Sequence, residues 1–296
     1  MQLELREIHK SFGEKEVLKG ISLKTESGSA LGILGRNGAG KTTSIRILLD
    51  VFSANSGEVL LDGRPINRET VRFGYLPEER GLYPKKKIAD QLQYFAQLKG
   101  MSKKDAAKAA DAWLNKLGMH EYKEKKLETL SKGNQQKIQL ITAVIHNPDI
   151  VILDEPFSGL DPVNAMMLEE VVKEEMQKGK IVLFSSHQMN YIEEFCDNIA
   201  ILNDGQIVLQ GKLAEIKHDY SRDKLVIRSQ ECDAIMQKYA DCCDKTGEAE
   251  LLMHLSSPEV KQQRMAELSQ QFDLDELKVY EPKLSDIFVE YAGTKE

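Results

Sequence analysis

The chain has 296 residues, of which 41% are hydrophobic and 29% charged, and its formal net charge is -7. This composition indicates an ordinary globular protein of one or two domains with room for a sizeable core, and not a disordered or fibrous chain. The negative charge argues against nucleic-acid binding, which requires a positive surface.

No apolar run approaches the roughly 18 to 20 residues that a membrane-spanning helix requires. Residues 1–10 also lack the apolar core of a signal peptide. We therefore expect a cytoplasmic protein that reaches a membrane only through a partner.

The four cysteines are Cys196, Cys232, Cys242 and Cys243, and none of them forms a C-x-x-C pair. Free thiols in a reducing compartment are the expected state. A metal site on the last three is the less favoured alternative, because no histidine lies at ligand spacing.

Apolar strands alternate with helical patterns along roughly the first 210 residues, which is typical of a parallel sheet covered by helices. In chain order we predict strands at 3–9, 18–25 and 30–34, a helix at 41–50, a strand at 58–61, helical structure from 88 to 117, a helix at 135–146, a strand at 150–153, a helix at 162–177, a strand at 181–184, a helix at 189–196, and a hairpin of strands 199–202 and 207–209.

A polar stretch at 218–222 follows a short helix predicted at 213–217 and indicates a domain boundary. Beyond it we predict a strand at 225–228, a helix at 233–239, a strand at 250–255, a helix at 258–270, a strand at 277–280 and a helix at 284–291. The sequence therefore predicts two domains, residues 1–218 and 219–296, the second being a small α/β module.

A glycine-rich segment between the predicted strand 30–34 and helix 41–50 matches the pattern G-x-x-x-x-G-K-[ST]. Its residues are Gly35, Arg36, Asn37, Gly38, Ala39, Gly40, Lys41 and Thr42, with Thr43 following. Glycines let backbone N–H groups approach phosphate oxygens, and the start of a helix adds a positive dipole. We expect Lys41 to reach the β- and γ-phosphates of a nucleotide and the Thr42 hydroxyl to bind Mg²⁺. The segment alone does not distinguish an ATPase from a GTPase or a small-molecule kinase.

The predicted strand 150–153 ends in two carboxylates, Asp154 and Glu155. Asp154 is the candidate for holding Mg²⁺, and Glu155 is the candidate for polarising an attacking water. A strand that merely stops at charged residues is the alternative, and the phosphate loop upstream favours the functional reading.

Further motifs follow in a fixed order, and together with the phosphate loop they resemble those of ABC ATPases. Leu-Ser-Lys-Gly-Asn-Gln-Gln at 130–136 resembles the L-S-G-G-Q signature, and Ser-Gly-Leu-Asp at 158–161 is similar to the D-loop, which ends in Asp161. His187 matches the switch histidine and Phe12 the aromatic residue that stacks on adenine. A surface histidine and a packed aromatic residue near a turn are the respective alternatives.

The resemblance implies a P-loop NTPase core with an antiparallel β subdomain and a helical signature subdomain, plus the C-terminal α/β module. It implies a homodimer, or a pair with a paralogous ATPase subunit, that binds ATP and Mg²⁺. Ser131 and Gly133 of one subunit would contact the γ-phosphate of ATP held by the other, and His187 would contact the γ-phosphate and help to position water. Integral membrane permease subunits are the further partners implied, which would place the protein on the inner face of the cell membrane.

This sequence departs from the common family pattern at two places. The signature has Lys132 where the common form has its first glycine and Asn134 where it has glutamine, whereas Ser131 and Gly133 remain. The Q-loop has Glu78 in place of glutamine, and Glu79 beside it leaves open which carboxylate faces the metal.

These departures, together with the C-terminal extension, resemble the bacterial branch of sodium-efflux and drug-efflux exporters. A non-transport ABC ATPase for DNA repair or ribosome work is an alternative, but it usually carries a coiled-coil insertion or two fused cassettes. A regulatory module that binds ATP without hydrolysing it is a second alternative, against which Glu155 and His187 count. The run of lysines at 85–87 is either a solvated loop or a contact for an acidic permease loop or anionic lipid.

Overall fold

The structure is a computed structural model that describes residues 1–79, 81–158, 160–220 and 223–293. Its strands are β1 (Gln2–Phe12), β2 (Lys15–Glu26), β3 (Ala30–Gly35), β4 (Ser56–Leu61), β5 (Arg64–Pro65), β6 (Phe73–Leu76), β7 (Ile150–Asp154), β8 (Ile181–Ser186), β9 (Asn198–Asn203), β10 (Gln206–Lys212), β11 (Lys224–Arg228), β12 (Cys243–Gly247), β13 (Glu250–His254) and β14 (Glu276–Val279). Its helices are α1 (Lys41–Leu48), α2 (Ile88–Leu98), α3 (Lys103–Lys116), α4 (Lys132–Val144), α5 (Pro162–Gln177), α6 (Met189–Phe195), α7 (Leu213–Asp219), α8 (Cys232–Lys238), α9 (Lys261–Gln271) and α10 (Leu284–Ala292).

A six-stranded sheet in the order β10-β9-β3-β8-β7-β6 lies at the centre of the part of the chain from Met1 to Leu213. All pairs from β9 to β6 are parallel, and β10 alone is antiparallel to its neighbour. Every residue of β3, β7 and β8 is buried, as their continuous apolar runs predict for strands covered on both faces. Because parallel strands end at the same edge, the segments that follow β3, β7 and β8 meet there.

A second, antiparallel sheet has the order β2-β1-β4-β5 and packs on α1. Its buried side chains belong to the same hydrophobic core as those of α1 and of the six-stranded sheet. Strand β1 bends at Glu7, whose φ of 49° is positive, and the pairing with β4 shifts register between Arg6 and His9. Gly57 lies opposite this bulge, where a Cβ atom would stand 2.2 Å from the carbonyl oxygen of Glu7. The bulge lies a few residues before Phe12, the last residue of β1.

The region 88–117, predicted as continuously helical, is two helices, α2 and α3, that pack against each other. Gly100, with a φ of 88°, forms the turn, and the Ser102 hydroxyl caps α3 by accepting the backbone N–H of Asp105 at 3.1 Å. Helix α4 begins three residues earlier than predicted because Ser131 caps it in the same way, accepting the N–H of Asn134 at 3.3 Å.

Strand β6 was not predicted from the sequence, because four residues carry too little alternation to indicate a strand. It pairs in parallel with β7 and passes close to α4. A Cβ atom on Gly74 would lie 2.2 Å from the carbonyl oxygen of Ala143, so only glycine allows this approach.

Packing divides the chain into two units, one formed by Met1–Leu213 with Phe288–Glu296 and the other by Ala214–Ile287. The predicted boundary between 1–218 and 219–296 stays a prediction, and Ser221 and Arg222 within it lie outside the described residues. The second unit has an antiparallel sheet in the order β12-β13-β11-β14, with α8 and α9 connecting its strands. The succession β-α-β-β-α-β with this order is the ferredoxin-like arrangement. Strand β12 was not predicted because Cys-Asp-Lys-Thr-Gly lacks alternating apolar residues.

No helix in the described ranges is both long enough and apolar enough to cross a bilayer.

Candidate active site

A cleft of about 510 Å³ opens at the edge where β3 and β7 end. It brings together residues that the sequence patterns indicated in four separate segments. These lining residues are Phe12, Arg36, Asn37, Gly38, Gly40, Lys41, Thr42, Thr43, Glu78, Asp154 and Glu155, and they are joined by Lys15 and Val17.

The phosphate loop owes its shape to two glycines. Gly38 and Gly40 have φ values of 84° and 113°, which L side chains rarely adopt. At Gly40 a Cβ atom would also lie 2.5 Å from the side chain of Leu18, whereas at Gly38 the space is open. Lys41 begins α1, is nearly buried, and donates from Nζ to the carbonyl oxygen of Gly35 at 2.7 Å. The loop therefore holds the ammonium group over its own backbone, beside the helix N-terminus.

Gly35 and Ala39 belong to the loop but do not line the cleft. Gly35 ends β3, where a Cβ atom would lie 2.7 Å from the carbonyl oxygen of Leu202. Ala39 is buried in the core. Both residues support the loop from the side that faces the core, so their predicted contact with a nucleotide stays a prediction.

Asp154 ends β7 with only 2% of its surface exposed. The Ser185 hydroxyl, on the neighbouring strand β8, donates to Oδ1, and the Tyr75 hydroxyl lies 3.4 Å from Oδ2. Burial raises the pKa of Asp154 above its usual range and nearby Glu155 adds to this, while Ser185 and Lys41 oppose it. A buried carboxylate that is disfavoured as an anion is one that a divalent cation would stabilise.

Glu155 is held in an unusual backbone conformation with a φ of 49°, which costs about 1–3 kcal/mol for a residue other than glycine. Its N–H donates to the carbonyl oxygen of Ser185 at 2.8 Å. The Ser186 hydroxyl donates to Oε2 at 3.1 Å, and Nδ1 of His187 lies 2.9 Å from Oε1. Strain maintained by this many contacts is typical of a functional site, and it points the carboxylate into the cleft.

His187 does not line the cleft itself, and 59% of its side chain is exposed. It reaches the site through Glu155, which is the placement expected of a residue that positions a base or a water. Its contact with a phosphate stays a prediction.

Phe12 is half exposed at the mouth of the cleft. Its ring meets Phe52 edge to face with centroids 5.3 Å apart, and the Lys10 ammonium lies 5.1 Å from the Phe12 centroid. An exposed ring with one edge fixed by packing is suited to stacking on a base.

Glu78 lines the cleft, and its neighbour Glu79 is not among the lining residues. This favours Glu78 as the carboxylate that faces a metal. Arg80 in the same segment lies outside the described residues.

Ser131, Gly133 and Asp161 are not among the residues that line this cleft, and Gly133 lies close to Asp161. Asp161 caps α5 by accepting the backbone N–H of Asn164 at 3.0 Å, and its second oxygen accepts the side-chain amide of Asn164. That amide lies so close to Gly133 that a Cβ atom there would stand 2.5 Å from Nδ2. The signature loop and the start of α5 therefore pack as one unit. Gly159 of the predicted D-loop lies outside the described residues.

Several residues of the site were not predicted from the sequence. Lys15 and Val17 line the cleft on the strand after Phe12, and the turn at Gly13 is the signal that could have pointed to them. Ser185 and Ser186 hold the two carboxylates, and a pair of hydroxyls directly before His187 was an available signal. Tyr75 gave none, because its strand was not predicted.

The cleft fits a nucleoside triphosphate with Mg²⁺. The glycines form a cradle at a helix N-terminus, and Thr42, Asp154 and Glu78 offer the oxygen ligands that Mg²⁺ prefers. With the parallel sheet behind it, this arrangement defines a P-loop nucleoside triphosphatase.

Comparison with known proteins narrows this class to one family. A family profile described as ABC transporter matches residues 18–158, and one for the C-terminal domain of DrrA1-3-like ATP-binding proteins matches residues 211–292. The chain is 42% identical over 293 residues to YhaQ, an uncharacterized ABC transporter ATP-binding protein of Bacillus subtilis, with 98% of each chain covered. It is 32% identical over 228 residues to the linearmycin resistance ATP-binding protein LnrL of the same organism, covering 76% of this chain and 73% of LnrL. A solved structure described as an ATP binding subunit of an ABC transporter superposes with a TM-score of 0.68 at 27% identity, covering 74% of this chain and 93% of that one.

The chain belongs to the ATP-binding proteins of ABC transporters. This confirms the family resemblance and the α/β fold class with its C-terminal module, and it makes the protein an ABC-type ATPase that binds ATP with Mg²⁺.

Proposed function

We propose that this subunit dimerises around two MgATP and drives export through separate membrane permease subunits, from the inner face of the cell membrane. In this proposal Lys41 and the phosphate-loop backbone bind the triphosphate, and Phe12 stacks on the adenine. Thr42, Asp154 and Glu78 hold Mg²⁺, which supplies charge neutralisation at the transferred phosphate when bound.

Glu155 accepts a proton from the attacking water, and His187 keeps Glu155 and that water aligned. The observation that supports these two roles is the strained backbone of Glu155, which directs its carboxylate toward the cleft that Lys41 also lines. General-base catalysis requires such fixed geometry more than it requires an unusual pKa.

One observation supports the dimer: the two segments that we predict to bind phosphate do not line the same cleft. Lys41 and Glu155 line one cleft, whereas Ser131 caps the N-terminus of α4 outside it, next to Gly133. A helix N-terminus that begins with serine and glycine suits phosphate binding. A second copy, a homodimer partner or a paralogous subunit, would bring this loop to the cleft, with Asp161 beside it.

The two-site arrangement is tested by mixing inactive subunits. Lys41→Ala mixed with Ser131→Arg leaves one intact composite site in each heterodimer, so part of the ATPase activity should return. Lys41→Ala mixed with Glu155→Gln is the matched control. Lys41 and Glu155 line the same cleft of a chain, so each subunit of this heterodimer carries a damaged cleft and no intact site forms. A first mixture as inactive as the second at saturating ATP would refute sharing of the site between subunits.

A drug is the cargo we favour, with sodium as the alternative. The support is the similarity to a protein named for linearmycin resistance. The test is to look for a multi-span membrane protein in the neighbouring reading frames, to co-express the chain with any that is found, and to measure ATP-dependent uptake of labelled drug or ²²Na⁺ into inverted vesicles. ATPase activity without any such complex or uptake would instead favour a non-transport ABC ATPase, and ATP binding without turnover would favour a regulatory module.

A further inference from the structure

Helix α4, which begins at the signature loop, also contacts the backbone of two segments that contribute residues to the nucleotide cleft. It does so through the side-chain amides of two glutamines three positions apart, Gln136 and Gln139. Residues at this spacing lie on the same face of a helix. The contacts join the helix to the segments that carry Glu155 and Glu78.

Gln139 is the stronger of the two contacts, because its side chain is only 3% exposed. Its Nε2 donates to the carbonyl oxygen of Pro77 at 2.8 Å and to that of Glu79 at 3.3 Å. An amide NH₂ has two protons, so each carbonyl can receive one. The two carbonyls flank Glu78, and residues 77–79 belong to neither a helix nor a strand. The Gln139 amide therefore gives these two carbonyl oxygens the hydrogen-bond donors that a helix or a strand would otherwise provide.

Gln136 makes a similar contact with the second segment, the one that carries Glu155. Its Nε2 donates at 3.1 Å to the carbonyl oxygen of Pro156, the residue after Glu155. A displacement of α4 as a rigid element would therefore be transmitted through these contacts to the segments that carry both carboxylates.

We propose that Gln139 is a positioning residue that holds Glu78 at the cleft and ties its placement to the signature helix, with Gln136 doing the same for Glu155. The inference rests on the proposed function, in which Glu78 is a metal ligand and the signature loop contacts a second subunit's nucleotide. It adds a link within one chain between Ser131, which would contact the nucleotide of the other subunit, and the carboxylates Glu78 and Glu155, which would act on the nucleotide of their own subunit. No local sequence pattern predicts this link.

The test replaces Gln139 with methionine, which is similar in length but has no donor. We expect the Mg²⁺ dissociation constant of the ATP-loaded protein, measured by calorimetry, to rise about tenfold or more, as for other residues that orient metal ligands. Metal-free ATP binding should not change, because the phosphate loop is untouched. Gln97→Met is the matched control, since within the described ranges Gln97 donates its side-chain amide to the Gln93 carbonyl oxygen on its own exposed helix face and to no part of the cleft.

A double-mutant cycle with Glu78→Gln separates positioning from general loosening of the fold. If Gln139 acts through Glu78, Gln139→Met should add nothing to the loss of Mg²⁺ affinity in the Glu78→Gln background. Fully additive losses, or an unchanged Mg²⁺ affinity in folded Gln139→Met protein, would overturn the proposal. Should Gln139→Met fail to fold, Gln139→Asn serves the same test, because its shorter amide cannot reach both carbonyls.

The role of Gln139 and the role of Glu78 fail in different ways. Unchanged Mg²⁺ affinity in Glu78→Gln alone would remove Glu78 from the metal site and thus contradict the proposed function. A normal loss in Glu78→Gln with no effect of Gln139→Met would leave the proposed function intact and overturn only the role of Gln139.

Discussion

Replacing Glu155 with glutamine tests the centre of the proposed chemistry with little change to the fold. The new side chain would keep the shape of the original, and its carbonyl oxygen would still accept the Ser186 hydroxyl that lies 3.1 Å from Oε2. Its amide would face Nδ1 of His187, which can accept a hydrogen bond in one of its tautomers. Only the ability to take a proton is lost.

The magnitude follows from the role of a general base, which contributes about 10²–10⁴-fold to a rate. At 1.36 kcal/mol for each factor of ten, kcat should fall by an amount equivalent to about 2.7–5.4 kcal/mol of activation free energy. Both side-chain hydrogen bonds of the carboxylate, with Ser186 and with His187, become neutral, so the free energy of unfolding should change by no more than about 3 kcal/mol.

The assay combines phosphate release at saturating MgATP with calorimetry of ATP binding and light scattering in the presence of ATP. We expect slow turnover, retained ATP affinity and accumulation of an ATP-bound dimer. Glu175→Gln is the matched control, since Glu175 is another buried glutamate but pairs with Lys178 at 2.7 Å, away from the cleft. Turnover in Glu155→Gln close to that of Glu175→Gln would remove Glu155 from its proposed role.

Three further predictions concern other parts of the first packing unit. Lys41→Ala should weaken MgATP binding about tenfold to a hundredfold, as expected for loss of a hydrogen bond to a charged group, and unchanged affinity in calorimetry would contradict the phosphate-loop assignment. Gly133→Ala should lower the free energy of unfolding by about 1–3 kcal/mol because its methyl group meets the Asn164 amide. The same change made in an Asn164→Ser background should cost less, and equal costs in denaturant titrations would show that this contact is not the cause. Burial lowers the pKa of His146 from 6.5 to about 4, so its contribution to stability is present above pH 6.5 and is lost as the pH falls toward 4. Over that window the loss should be about 3 kcal/mol, and His146→Gln should reduce it; identical pH profiles of the two proteins would refute the assignment.

The residues of this site could be predicted where the motif that indicates them lies within a short run of consecutive residues. The phosphate loop is local, because glycine spacing, a lysine and a following helix occupy eight consecutive residues. The end of β7 is also local, since an apolar run followed by two carboxylates predicts both the buried strand and the acidic groups that follow it. Residues outside such runs gave weaker signals, and β6 and β12 were therefore missed.

By itself, the sequence determined the family and the nucleotide and predicted the residues that would contact phosphate, because these depend on short segments whose backbone conformation is set by their own residues. The tertiary structure alone decided which of them share a cleft. Ser185 holds Asp154 from 31 positions away, and Gln139 holds the carbonyl of Pro77 from 62 positions away. Such contacts arise from the register of parallel strands and from the placement of α4 beside them, and burial makes each of these hydrogen bonds necessary without leaving any pattern in the neighbouring residues.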